Sequence, residues 1–158
     1  MTTDPFNLQR FVEAQANNYA QALSELRRGR KTTHWIWYVF PQLDGLGGSE
    51  ISKFYSIKSI DEAVAYLQHP VLGVRLVECC EVLLALEGQN ANEILGFPDD
   101  LKFRSSITLF AAVGPEIAVF KSLIAKYFNG LPDKKTIEII SSLPTSSTGR
   151  SPQHIFPD

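Results

Sequence analysis

Residues 71–88 have the sequence VLGVRLVECCEVLLALEG, in which apolar side chains recur at helical spacing until Gly88. Because apolar residues fall on both faces of this segment, we predict that it is the central helix of the fold. Its two cysteines, Cys79 and Cys80, are adjacent, and on a helix their side chains point about 100° apart. We therefore expect no disulfide between them, and two thiols alone make no zinc site.

Helical patterns also lie on both sides of this segment. Each begins with a capping residue or with a proline in its first turn, which are common signals of a helix N-terminus. The predicted starts are Asp4, Ser59, Pro98, Pro115 and Asp133. The first of these helices is predicted to continue without a break to Gly29, and residues 91–95 are predicted to form one further short turn. Together the segments predict an all-α, mostly helical protein of about seven helices.

The aromatic stretch 32–42 is the one segment in which a strand and a short helix fit the sequence about equally well. We favour a helix, with a small β-hairpin near this stretch as the alternative. Residues 44–49 contain three glycines and are predicted to form a loop whose backbone can approach a ligand closely.

The composition is that of an ordinary globular domain. The chain has 158 residues, of which 44% are hydrophobic and 20% are charged. We predict a single helical domain at 1–141 and a flexible tail, rich in serine, threonine and proline, at 142–158. A net charge of -2 disfavours nucleic acid and anionic membranes as partners. The absence of a secretory signal pattern and of long apolar runs predicts a cytoplasmic location. The sequence gives no prediction of the oligomeric state.

A basic segment lies where the first predicted helix ends, and two interpretations of it stay open. It comprises Arg27, Arg28, Arg30 and Lys31. Cations at this position complement the negative end of the helix dipole, which alone would explain them. Alternatively, Arg30 and Lys31 bind an anion such as phosphate, to which a guanidinium group is well suited.

The aromatic stretch supplies the parts of a ligand pocket. Trp35 or Trp37 could stack a flat heterocycle, and the amide of Gln42 could contact its edge. His34 could act as a general acid or base, although a histidine with no carboxylate partner is more often a surface residue. The structural alternative is that the tryptophans only fill the core.

The start of the helix at Pro98 carries the densest polar cluster in the chain. Asp99 and Asp100 are candidate catalytic carboxylates, because apolar neighbours could partly desolvate them. Lys102 and Arg104 are candidate ligand-binding residues. The alternative is a surface network in which Asp100 pairs with Arg104 and Asp99 with Lys102. The sequence contains no phosphate-binding loop, nucleophile elbow or histidine pair at metal-ligand spacing, so we expect no metal and require no cofactor.

Five runs of the sequence resemble a bacterial family of domains of unknown function, DUF1810. They are RFVEAQ (10–15), ELRRGRK (25–31), HWIWYVFPQLDGLGGS (34–49), HPVLGVRLVE (69–78) and PDDLKFRSSITLF (98–110). The resemblance covers approximately Phe6 to Ile140, and Ile36 and Ile107 stand where the family often has methionine. It implies a mostly helical fold and no agreed activity.

A more distant likeness connects the segments 69–76 and 96–100 to the helical NADAR family. Members of that family are linked to NAD and ADP-ribose metabolism and cleave N-glycosidic bonds of nucleotide-like substrates. This likeness implies a small-molecule enzyme or binder for a phosphorylated nucleotide-like ligand, and an N-glycosidase is one form of it. In this hypothesis Asp100 stabilises an oxocarbenium-like centre or positions water. The alternative is a non-catalytic binding or protein-interaction module, and the sequence does not decide whether the protein is an enzyme. The ligand hypothesis requires the aromatic stretch and the segment 99–106 to meet.

Overall fold

The structure is a computed structural model, and it describes residues 3–143. The described residues form ten helices and no sheet, which confirms the all-α prediction. The helices are α1 (Gln9–Ala16), α2 (Tyr19–Arg28), α3 (Ile36–Val39), α4 (Glu50–Phe54), α5 (Ile60–Gln68), α6 (Leu72–Ala85), α7 (Ala91–Leu95), α8 (Asp99–Val113), α9 (Ala118–Phe128) and α10 (Lys134–Ser142). The tail was predicted from residue 142, where α10 ends, and residues 144–158 lie outside the described range.

Two differences in the N-terminal half explain why there are more helices than predicted. The first predicted helix is split into α1 and α2 at Asn17 and Asn18, where the Asn18 side chain donates a hydrogen bond to the Ala14 carbonyl (2.8 Å). Asparagine side chains commonly bond to nearby backbone in this way and interrupt a helix. The short helix α4 was not predicted, because five residues are too few to show a periodic pattern.

The aromatic stretch forms the short helix α3, as favoured from the sequence, and the β-hairpin alternative is wrong. In place of a hairpin, Leu43 forms one isolated parallel bridge with Ile57. The Ile57 N–H donates to the Gln42 carbonyl, and the Asp44 N–H donates to the Ile57 carbonyl, both at 2.8 Å. This bridge fixes the start of the glycine loop.

The most buried helix is α8, not the predicted α6. Every residue of α8 from Ser105 to Val113 is buried, and the helix contacts α3, α5, α7, α9 and α10. The hydroxyl side chains of α8 make its sequence less apolar than that of α6. However, two of these hydroxyls form hydrogen bonds to backbone carbonyls of the same helix. Ser105 donates to the Leu101 carbonyl (3.1 Å) and Thr108 to the Arg104 carbonyl (2.8 Å). Bonds of this kind allow a partly polar sequence to occupy the core.

The opposite side of the core is formed by α6, which packs on α2, α5 and α9. Cys79 and Cys80 are both buried there as free thiols, and burial raises the pKa of the Cys79 thiol to about 12. Within residues 3–143, no helix has the length and apolar character needed to cross a membrane. The same range holds no cluster of three histidine, cysteine or acidic side chains that could bind a metal ion.

Candidate functional site

The loop after α2 is held by Glu25, a fully buried residue that the sequence analysis did not single out. Its Oε1 accepts hydrogen bonds from the backbone N–H groups of Thr32 (2.7 Å) and Thr33 (2.9 Å) and from Trp35 Nε1 (3.0 Å). Its Oε2 accepts from Thr33 Oγ1 (2.5 Å) and Gln21 Nε2 (2.9 Å). Burial alone would raise the pKa of Glu25, but these hydrogen bonds outweigh burial and hold it well below the ordinary value.

Lys31 connects this loop to the start of α8. Its Nζ lies 2.7 Å from Asp99 Oδ2, and the two side chains are only 6% and 17% exposed. The backbone N–H of Lys31 donates to the Ile94 carbonyl (2.7 Å), and its Nζ donates to the Thr33 carbonyl (2.6 Å). Asp99 lies in the first turn of α8, where the helix dipole favours a negative charge. The predicted phosphate contact Lys31 and the candidate catalytic carboxylate Asp99 therefore bind each other.

The aromatic stretch and the segment 99–106 meet directly at a second place. Lys102 Nζ lies 5.2 Å from the centre of the Trp37 ring, a cation–π distance. Three residues after Trp37 and one residue after Lys102, the rings of Phe40 and Phe103 pack edge to face at 5.1 Å. The contact between α3 and α8 is therefore hydrophobic in its interior and charged where Lys102 covers the indole.

Two polar groups at this contact lack a partner. Among the residues that the structure describes, the buried side-chain nitrogen and oxygen atoms without a hydrogen bond are Trp37 Nε1 and Ser106 Oγ. Ser106 follows Lys102 by one helical turn and so lies on the face of α8 that carries Lys102. The neighbouring hydroxyl of Ser105 bonds to its own helix, whereas that of Ser106 does not. An unpaired donor and an unpaired hydroxyl, contributed by the facing elements α3 and α8, are unusual in a native core.

The remaining polar residues of α8 point elsewhere. Asp100 lies about 160° around the helix from Lys102, and its carboxylate accepts from the Leu101 N–H (3.0 Å) and from Asn92 Nδ2 (3.4 Å). Arg104 donates to the Leu131 carbonyl from Nε (3.0 Å) and from Nη2 (2.8 Å). The ion pairs within residues 3–143 are Arg10–Glu62, Lys31–Asp99 and Lys58–Asp44. The expected pairs Asp100–Arg104 and Asp99–Lys102 are therefore wrong.

The sequence pattern of a family described as "Protein of unknown function (DUF1810)" matches residues 5–140. The chain belongs to the DUF1810 family. Among solved structures, the chain is similar to the conserved hypothetical protein Rv1873 from Mycobacterium tuberculosis, at 50% sequence identity and a TM-score of 0.85. The similarity covers 86% of this chain and 97% of that one. Among curated proteins, none matches the chain.

In this DUF1810 protein the other predicted site residues have different degrees of exposure. Trp35 is 1% exposed and bonded to Glu25, which leaves Trp37 as the tryptophan that can meet a ligand. His34 is exposed, and its backbone carbonyl accepts from the Tyr38 hydroxyl (3.3 Å). Gln42 is partly buried and bonded through its backbone carbonyl to Ile57.

Two surface hollows lie beside these elements. The larger, of about 850 Å³, is lined by the predicted glycine loop and by α4. Its lining residues are Asp44, Gly45, Gly47, Glu50, Lys53, Phe54 and Lys58. The smaller, of about 500 Å³, contains Arg30 together with Gln21, Arg28 and Thr32. The structure thus separates Arg30, which is exposed, from Lys31, which is nearly buried.

Proposed function

We propose that the contact between α3 and the start of α8 binds a phosphorylated, nucleotide-like ligand and that the protein cleaves an N-glycosidic bond in it. The observation that carries this proposal is the unpaired Trp37 Nε1 and Ser106 Oγ. A buried polar group without a partner costs about 1–3 kcal/mol, so it calls for an explanation such as a ligand that supplies the missing partner.

The ligand chemistry follows from the groups around this pair. The partly exposed Trp37 side chain offers the face of its indole to a flat base, and its N–H, which lies in the plane of the ring, can donate to a ribose or phosphoryl oxygen of the same ligand. Lys102 covers the indole in the free protein. Because its side chain is long and flexible, it can swing aside to admit the base and then place its charge near a phosphoryl group. Gln42 is the further candidate for contact with the edge of the base.

Replacing Ser106 with alanine tests the binding site. We expect Ser106→Ala to leave the thermal stability of the free protein unchanged, or to raise it by up to about 1 kcal/mol, because it removes an unpaired buried hydroxyl. The same substitution should abolish the rise in melting temperature produced by ADP-ribose, NAD or AMP, which is the measurement. The proposed role of Ser106 is contradicted if Ser106→Ala unfolds more easily and keeps the full ligand response.

The matched control is Ser105→Ala, one residue away on α8. Ser105 is also buried, but its hydroxyl donates to the Leu101 carbonyl. We expect this control to lose about 0.5–1 kcal/mol of stability and to keep the ligand response. If the unmodified protein shows no shift with any of the three compounds, the binding proposal fails.

For catalysis, the geometry favours Asp99 over Asp100, the candidate preferred from the sequence. Asp99 is oriented by Lys31 and lies on the same side of α8 as Lys102, whereas Asp100 faces Asn92. An aspartate carboxylate held in this way can stabilise the positive charge that develops on a ribose carbon as the N-glycosidic bond breaks. The base leaves with the electron pair of the broken bond, and a water molecule then adds to the ribose carbon and releases a proton to solvent.

Asparagine substitutions distinguish the two carboxylates. With NAD as the test substrate and release of nicotinamide as the measurement, we expect Asp99→Asn to lower turnover by about 100-fold. Asp100→Asn should stay within about threefold of the unmodified protein, because its carboxylate contacts only the start of its own helix and α7. Equal losses in both variants, or a larger loss in Asp100→Asn, would contradict the assignment to Asp99.

A second candidate, a protein-interaction module, is favoured by one observation. Phe97 and Leu101 are both exposed, Phe97 in the loop before α8 and Leu101 in the first turn of that helix. Exposed Leu131 lies close by, because Arg104 of α8 holds its carbonyl. Adjacent exposed apolar side chains are typical of interaction surfaces. A module of this kind would show no rise in melting temperature with nucleotides, so the Ser106 experiment also separates the two functions.

A further inference from the structure

The hollow at the end of α2 carries two arginines that have no side-chain partner among residues 3–143. Arg28 and Arg30 are exposed and line this space of about 500 Å³ together with Gln21 and Thr32. Neither arginine takes part in the three ion pairs formed within residues 3–143, and neither side chain donates a hydrogen bond to a described residue.

Arg10, Arg75 and Arg104 are bound to protein groups, whereas Arg27, which does not line the hollow, is exposed. Arg10 donates five hydrogen bonds, to four backbone carbonyls and to Glu62. Arg75 stacks on the Tyr19 ring, and Arg104 holds the carbonyl of Leu131. The guanidinium groups of Arg28 and Arg30 therefore differ from these in being available to an outside anion.

Hydrogen bonds to the rest of the protein hold the residues that line the hollow. Gln21 and the Thr32 backbone both donate to the buried Glu25 carboxylate. Gly29, between the two arginines, adopts the left-handed conformation (φ 75°), and its carbonyl accepts from Gln89 Nε2 (3.0 Å). A rigid frame of this kind lowers the entropy lost when a ligand is bound.

The electrostatic balance at this position favours an anion. The carbonyl end of α2 and the Glu25 carboxylate are both negative and would oppose one. However, the Glu25 carboxylate accepts five hydrogen bonds, which disperse its charge, and the Arg30 N–H caps the Glu25 backbone carbonyl (3.0 Å). Two guanidinium groups then remain uncompensated at the surface. Guanidinium groups bind phosphoryl oxygens with two parallel hydrogen bonds each, so a pair of them matches a diphosphate.

We propose that this hollow is a binding site for phosphoryl groups, with Arg28 and Arg30 as its two anion-binding side chains. Arg28 takes the anion-binding role predicted for Lys31, because the Lys31 ammonium is already bound to Asp99. The phosphoryl group could belong to the nucleotide-like ligand, in which case the inference rests on the proposed function, or to free inorganic pyrophosphate. The chemistry recognised is the same in both cases.

Calorimetric titration with inorganic pyrophosphate, at low ionic strength and without divalent cations, tests the site itself. We expect the Arg28→Gln/Arg30→Gln variant to bind pyrophosphate at least about tenfold more weakly than the unmodified protein. The control is Lys134→Gln/Lys135→Gln, which removes the same charge from two exposed lysines of α10 and should change the affinity by less than about twofold. The inference is overturned if the unmodified protein does not bind pyrophosphate. It is equally overturned if the arginine variant binds normally, or if the control weakens binding as much.

A second titration, with ADP-ribose, separates this inference from the proposed function. If one nucleotide spans the contact between α3 and α8 and the hollow at the end of α2, Trp37→Ala should weaken ADP-ribose binding and leave pyrophosphate binding unchanged. The arginine variant should weaken the binding of both compounds. Pyrophosphate binding without ADP-ribose binding would support the phosphoryl site and remove the proposed function. ADP-ribose binding that depends on Trp37, together with pyrophosphate binding that does not depend on the arginines, would support the proposed function and overturn the phosphoryl site.

Discussion

Replacing Phe103 with alanine is expected to lower the free energy of unfolding by about 3–5 kcal/mol. The Phe103 ring is 0% exposed and packs against the rings of Phe40 (5.1 Å between centres), Phe128 (5.9 Å) and Tyr127 (6.3 Å). It therefore joins α3, α8 and α9 at one point, and its removal leaves a cavity that three separate helices cannot easily close. Urea unfolding followed by circular dichroism measures the loss.

The matched control is Phe97→Ala, six residues before Phe103. Phe97 is 76% exposed, so the same truncation should cost less than about 0.5 kcal/mol. If Phe103→Ala cost less than about 1 kcal/mol, the contact between α3 and α8 could not be the rigid platform that the proposed site needs. Where the variant stays folded, we also expect a weaker response to nucleotides, because Phe103 supports the Phe40 end of the aromatic stretch.

Helix boundaries were predictable where the signal is local. Gly29 ends α2 in the left-handed conformation, which only glycine adopts without strain. Asp133 begins α10 by accepting hydrogen bonds from the Thr136 N–H and hydroxyl. Ser59 accepts from the Glu62 N–H as its capping pattern predicts, although the Glu62 side chain turns to Arg10 instead of completing the box. The capping bonds of Asp133 and Ser59 each join residues three positions apart, so spacing alone reveals them.

Partners distant in sequence were not predictable in this way. The alternative interpretation of the polar cluster paired Asp99 with Lys102 three residues away, but Asp99 pairs with Lys31, sixty-eight residues earlier in the chain. A pair between Asp99 and Lys102 would lie on an exposed helix surface and contribute little to stability. The loop held by Glu25 instead brings the Lys31 ammonium to a nearly buried position beside Asp99. The burial of α8 was missed for a related reason, because side-chain bonds of Ser105 and Thr108 to their own helix are invisible in a hydropathy pattern.

The candidate site combines residues that the sequence singled out with residues that it did not. The aromatic stretch and the helix start at Pro98 meet through Trp37 and Lys102. Lys31, from the basic segment, pairs with Asp99 at a separate place. Neither Ser106 nor Arg28 was singled out as a ligand contact. An unpaired hydroxyl can be recognised only when every neighbouring donor and acceptor has been placed, and an unpaired arginine only when the ion pairs of the whole domain are known.

Replacing Glu25 with alanine is expected to lower the free energy of unfolding by about 3 kcal/mol, and to loosen both proposed sites. The substitution removes the shared acceptor of five hydrogen bonds and leaves the buried Trp35 N–H without a partner. It also frees the loop that brings Lys31 to Asp99 and Arg30 to its hollow. Thermal unfolding measures the loss of stability. The control is Glu13→Ala, which removes an exposed glutamate from α1 and should change stability by less than about 0.5 kcal/mol.

The contribution of Glu25 should also depend on pH, with a sign set by its pKa. Because the pKa in the folded protein lies below the ordinary value of 4.5, the unfolded chain binds the proton more tightly. The stabilisation is therefore fully present above about pH 4.5 and is lost progressively as the pH falls below it. Glu25→Gln cannot ionise, so the stability difference between it and the unmodified protein should be largest near neutral pH and shrink in acid. A difference that stayed constant from pH 7 to pH 3 would mean that Glu25 acts by its shape alone, and that its charge does not organise the loop beneath the phosphoryl site.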